Sequence, residues 1–176
     1  MGEGSKTRAA LSEQRYAQCG ALAIWPDNNK EKPMSLNAQL QPAAATSLER
    51  WHQFVAAKDL STLPELLHPQ AVFRSPMAHT PYPGAQAVNL ILNTVLKVFE
   101  DFAYHRELAT ADGLSVVLEF SARVGGRDLK GIDMIRFDEA GKIVEFEVMI
   151  LPMSGLQALG AEMAQRLAPF LAAAKG

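Results

Sequence analysis

The chain has one cysteine, Cys19, in 176 residues, and no apolar run approaching the roughly 18 residues that a bilayer crossing demands. A single thiol excludes an internal disulfide framework and a cysteine-based zinc site. The formal net charge is only −2, so there is no basic footprint for nucleic acid. Of the four histidines, none has a partner at metal-ligand spacing, and no glycine-rich phosphate loop occurs. No metal and no cofactor are therefore expected. A secretory leader is not expected, because Lys6 and Arg8 are followed by Ser12-Glu13-Gln14-Arg15 where an uninterrupted apolar stretch should stand. A globular cytoplasmic protein, 48% hydrophobic, is what these absences leave.

The apolar residues are distributed unevenly. Residues 1–43 string together Gly, Ser, Gln, Asn and charged residues around Pro26-Asp27-Asn28-Asn29-Lys30-Glu31-Lys32-Pro33, and are expected to form a disordered extension. Met34-Ser35-Leu36 has the look of an ordinary protein start, so residues 1–33 are expected to stand apart from the functional sequence. The domain is expected over 44–151, with a C-terminal helix over 152–176 appended to it. Thr46-Ser47-Leu48-Glu49 has capping-box spacing, and Leu48, Trp51 and Val55 predict a helix to about Lys58. A short helix follows over 61–67, stopped at His68-Pro69, and then a strand at 71–75. Val88, Ile91, Leu92, Val95, Leu96 and Phe99 define one face of a long helix.

Beyond that helix the apolar period changes to two, which predicts antiparallel strands over 104–110, 114–124, 129–137 and 142–151, with turns at Asp112-Gly113, Gly125-Gly126 and 138–141. Leu156, Leu159, Met163 and Leu167 mark the final helix, which Pro169 should end or kink. The order of elements predicts an α+β domain, a curved antiparallel sheet with helices on its concave side enclosing a cavity.

One residue breaks the pattern. In the strand 129–137, Asp133 shares a face with Leu129, Ile135 and Phe137. Pairing Phe137 with Lys142 would set Asp133 opposite Phe146, on a face that also carries Val144, Val148 and Ile150. Burial among such neighbours raises a carboxyl pKa into the range of a usable acid or base. The structural alternative is a carboxylate satisfied by a backbone amide or an arginine. Ser75 ends its strand, and His79 and Tyr82 sit in the proline-rich loop that follows, at the expected cavity mouth. Ser75, His79 and Asp133 do not amount to a hydrolytic triad, since no nucleophile elbow accompanies them. Glu119, Ser121 and Arg123 read as the outer sheet face, polar exterior or subunit interface.

Lys58-Asp59-Leu60, Leu66-Leu67-His68-Pro69-Gln70-Ala71-Val72-Phe73, the helix begun by Gly84, and Ile132-Asp133-Met134-Ile135-Arg136-Phe137-Asp138-Glu139-Ala140-Gly141-Lys142-Ile143 together resemble the nuclear transport factor 2-like superfamily. The resemblance spans Leu48 to Leu151 and implies a cone-shaped cavity fold used by ketosteroid isomerases, SnoaL-like cyclases and scytalone dehydratases. Against the ketosteroid isomerases, Asp133 falls on the strand aspartate that helps form the oxyanion hole, Trp51 on the helix tyrosine, and Ser75 on the catalytic base. Serine cannot replace a carboxylate base, whereas SnoaL-like cyclases place their acid/base aspartate near Asp133.

The expected function is thus a small-molecule cavity protein acting as isomerase, cyclase or dehydratase on a hydrophobic or aromatic compound. Asp133 would be its acid/base, with His79 and Ser75 beside it. Trp51, Phe73, Tyr82, Phe120, Phe137, Phe146 and Ile150 would bind the ligand. The rival is a non-catalytic ligand-binding or dimerisation module of the same fold. A homodimer through the outer sheet face is the expected assembly, with no nucleic-acid or membrane partner.

Overall fold

In a computed structural model, residues 35–173 are described, with side chains to residue 170. The expectations for residues 1–34 lie outside these. Four helices, α1 (Leu36–Gln39), α2 (Pro42–Ala57), α3 (Ala85–Leu96) and α4 (Met153–Ala173), accompany six strands. The strands are β1 (Leu67–Arg74), β2 (Tyr82–Pro83), β3 (Glu100–Ala109), β4 (Ser115–Val124), β5 (Arg127–Phe137) and β6 (Ile143–Leu151). They form one curved, unclosed sheet in the order β2-β1-β6-β5-β4-β3, antiparallel except for β1 beside β6.

Order begins earlier than the apolar periodicity implies. Residues 36–43, expected to be disordered, hold α1 and the start of α2, and Leu40 between them is buried in the core. The capping box at Thr46 does not form. Pro42 opens the helix, where its missing N–H costs nothing, and Thr46 Oγ1 donates back to the Pro42 carbonyl at 3.0 Å. The expected helix over 61–67 is a single 3-10 turn, Leu63–Glu65, and β1 already begins at Leu67. Pro69 is tolerated there because the β1–β6 register shifts between Leu67 and Val72, so Pro69 owes the ladder no donor. Pro169 does not end α4, which runs on to Ala173. Its neighbours Gln165, Arg166 and Ala168 are exposed, where water can take the hydrogen bond that the proline forgoes.

The strand expectations hold within a residue or four at most ends, but the β5–β6 register differs. Phe137 pairs with Ile143, a bulge follows at Arg136, and Asp133 stands opposite Val148 and Leu118, not Phe146. The change is two residues: one is absorbed by the turn after Phe137, where Lys142 N–H donates to Asp138 Oδ1 at 2.7 Å, and one by the bulge between Arg136 and Phe137.

The inner sheet face and α2–α3 share a core of Leu48, Trp51, Leu63, Val88, Leu118, Ile135 and Phe146. Gly84 starts α3 with φ 96° and ψ 141°, a conformation in which a Cβ would be strained, and its N–H donates to Ala71 O at 2.7 Å. That bond ties the helix to β1. The outer face is polar along β3–β4, with Arg106 paired to Glu119 and Arg123 to Asp101, while Met149 and Leu151 on β6 are exposed. Among the described residues no helix is long and apolar enough to cross a membrane.

Candidate active site

Between the sheet and the helices lies a cavity of about 420 Å³. Its walls are aliphatic and aromatic: Trp51 and Val55 from α2, Ile91 and Val95 from α3, Phe146 from β6, and Met163 from α4 are representative. Asp133 is the one acidic side chain in this lining, and no basic side chain joins it. A charged group therefore meets a wall that offers it little solvation.

Asp133 is 6% exposed. Its Oδ2 accepts a hydrogen bond from Tyr104 Oη at 2.6 Å, and Tyr104 Oη in turn accepts from Trp51 Nε1 at 3.0 Å. The three residues come from β5, β3 and α2, so the chain of hydrogen bonds ties the sheet to the helix. Burial raises the Asp133 pKa from 3.8 to about 7, against the lowering effect of the Tyr104 bond. Burial, and then the negative charge of Asp133, push the Tyr104 phenol well above its ordinary range, so Tyr104 stays a donor. Oδ1 of Asp133 makes no hydrogen bond to a described residue and is available to a molecule in the cavity. A carboxyl with this pKa can take up or release a proton near neutrality while Tyr104 holds its other oxygen.

Of the expected residues, Asp133, Trp51, Phe73, Ser75, Tyr82, Phe146 and Ile150 all line the cavity. Trp51 does not offer its N–H to a ligand, since Tyr104 accepts it. Ser75 is half-buried and its Oγ accepts from Met77 N–H at 3.1 Å. Three expectations are corrected. His79 is exposed and outside the lining, because the turn at 75–78 carries the loop outward. Phe120 is wholly buried behind Phe99 and Phe102, which cover it from the cavity. Phe137 is wholly buried opposite Ile143 and is not part of the cavity lining.

Tyr104 was missed. The residue is the second of an alternating pair, Phe102 and Tyr104, whose aromatic rings meet edge to face with centroids 4.9 Å apart, and that alternation is the available signal. Leu159, Met163 and Leu167 of α4 form a wall of the cavity. Among the described residues no three His, Cys, Asp or Glu gather as a metal site would require.

A cone of curved sheet and helices around a cavity bearing one buried carboxyl defines the nuclear transport factor 2-like class. Residues 48–146 match the SnoaL-like domain family, to which the chain belongs. A steroid delta-isomerase from Pseudomonas aeruginosa is 71% identical, aligned over 76% of this chain and 97% of its own, with a TM-score of 0.74. An uncharacterised cystatin-like protein from Silicibacter pomeroyi is 32% identical over 76% of this chain and 92% of its own, with a TM-score of 0.67. SalBIII, an epoxide hydrolase/cyclase-like enzyme of pyran ring formation in salinomycin, shares the fold at 17% identity, over 66% of this chain and 96% of its own, with a TM-score of 0.55. Comparison with curated proteins finds no match by sequence.

Proposed function

We propose that this protein is an acid–base isomerase of apolar carbonyl compounds, steroid-like in size and character, in which Asp133 moves the proton. The observation that carries the reading is the lone carboxyl of an apolar cavity, poised near neutrality and held through one oxygen by Tyr104. Oδ1 removes a proton from the carbon between a carbonyl and a double bond. The C–H electron pair passes into a dienolate, and Asp133 returns the same proton to the far carbon of the former double bond. One carboxyl group serves as base and then as acid, so the reaction balances with no other participant. This resolves the problem posed by Ser75, which stands where the resemblance puts a separate base. The delta-isomerase 71% identical to this chain supports the substrate class.

The test is ultraviolet absorbance of a β,γ-unsaturated 3-ketosteroid, which gains a conjugated enone on isomerisation. Turnover is expected, rising with pH toward a plateau above about 7 as Asp133 ionises, and falling by about 10²- to 10⁴-fold in Asp133→Asn, the range of one general acid–base group. Absence of turnover with the steroid bound refutes catalysis. That result would leave the ligand-binding reading, which Ser75 at the base position favours.

A further inference from the structure

The proton transfer proposed for Asp133 turns a carbonyl oxygen into an enolate oxygen, and that negative charge needs a donor among apolar walls. No basic side chain lines the cavity, and most of its hydrogen-bonding side chains are already engaged. Trp51 donates to Tyr104 and Tyr104 donates to Asp133, so neither has a proton left to offer. Ser75 and Tyr82 remain. Tyr82 is 40% exposed on the edge strand β2, where water competes for its hydroxyl. Ser75 is half-buried, its Oγ accepts from Met77 N–H at 3.1 Å, and its own proton reaches no acceptor among the described residues. The Met77 bond fixes the oxygen and polarises the hydroxyl, which makes that proton a stronger donor.

Strand register sets Ser75 level with the carboxyl. Arg74 of β1 pairs with Glu147 of β6, so Ser75 follows level with Val148, and Val148 is the β6 partner of Asp133. Ser75 and Asp133 thus line one cavity from either side of Val148, two strand spacings or about 10 Å apart along the sheet. A donor contact at Ser75 and a proton-transfer contact at Asp133, each about 3 Å, together with the two bonds from a carbonyl oxygen to its α-carbon, bridge that gap on a curved sheet.

We propose that Ser75 is the oxyanion donor of this site, holding the substrate's carbonyl oxygen through its hydroxyl and holding it more strongly as the enolate forms. The role rests on the proton transfer proposed above. Asp133 takes the α-proton, the C–H electron pair moves into the dienolate, and the growing charge on oxygen is met by the Ser75 O–H, which keeps its proton throughout. When Asp133 returns its proton to carbon, the oxygen is a carbonyl again.

The experiment uses the full chain and a conjugated 3-ketosteroid, the product, labelled with ¹³C at its carbonyl and bound at about pH 8.5, where Asp133 is ionised and cannot donate. A hydrogen bond deshields the carbonyl carbon, so its resonance should lie downfield when bound, move upfield in Ser75→Ala and return in Ser75→Thr, which keeps the hydroxyl. With the β,γ-unsaturated substrate, Ser75→Ala should lower kcat by about 10²- to 10³-fold, the worth of one oxyanion donor, and leave the pH midpoint of about 7 in place. A resonance that Ser75→Ala leaves unmoved overturns the proposal, and so does one that Tyr82→Phe moves in its stead. A Ser75-dependent resonance in a protein that turns over no steroid refutes proton transfer by Asp133 instead, while Ser75 stands as the carbonyl's partner.

Discussion

Replacing Asp133 by Asn should make the protein more stable at alkaline pH and slightly less stable in acid, because the folded state holds the ionised carboxyl at a cost whereas the amide meets the apolar wall at every pH. Unfolded, Asp133 ionises near its ordinary 3.8; folded, it ionises at about 7. Below about pH 4 it is protonated in both states and the substitution gains nothing. As pH rises from there, the unfolded chain releases the proton while the folded chain keeps it, so the Asp133 contribution to stability is progressively lost. Above about 7 the loss is complete. The interval between 3.8 and about 7, at about 1.4 kcal/mol per pH unit, amounts to about 4 kcal/mol. Asn keeps the volume and can still accept from Tyr104 Oη. Some of the gain is lost because its amide N–H₂ meets an apolar wall, so about 2–4 kcal/mol is expected at about pH 8.5. The assay is urea unfolding of both proteins across pH, read as the difference between them so that every other titrating group cancels. A difference that is flat from about pH 4 to 8.5, or that favours Asp at high pH, would refute the burial argument and with it the acid–base role.

Two further substitutions test the supports of the site. Tyr104→Phe removes the bond that lowers the Asp133 pKa; the midpoint, followed by carbon-detected NMR, should move up by about one to two pH units, carrying any pH–rate profile with it. Gly131→Ala would place a Cβ 2.5 Å from Met149 O and from Phe120 Cζ. A loss of about 1–3 kcal/mol in chemical unfolding is expected from that overpacking, and a neutral result would mean that β5 and β6 lie farther apart than described.

The helices and strands were legible because each is written in a local period. The α3 stripe from Val88 to Phe99 and the alternation from Val116 to Val124 need no knowledge of the rest of the chain. Errors gathered at element ends and in the register of β6, where the turn and a bulge each absorb one residue and the pairing slips by two without altering either strand's own pattern. Pro69 misled for the same reason: a bulge that excuses it exists only when β1 meets β6. Phe120 and Phe137 carry the right alternation for a cavity wall, yet whether an inward side chain meets space or another side chain depends on what packs over it. Phe99 and Phe102 decided that for Phe120.

Asp133 is the clearest division between the two. Its anomaly, a carboxylate in an apolar row, was determined by the sequence alone, since side-chain alternation along one strand assigns the face and burial then sets the direction of the pKa. Its partner was decided only by the tertiary structure. Tyr104 reaches Asp133 across β4, through a β3–β4 pairing with two register shifts, and Trp51 reaches Tyr104 from a helix more than fifty residues earlier. Such contacts depend on distances between elements, which periodicity within an element does not encode.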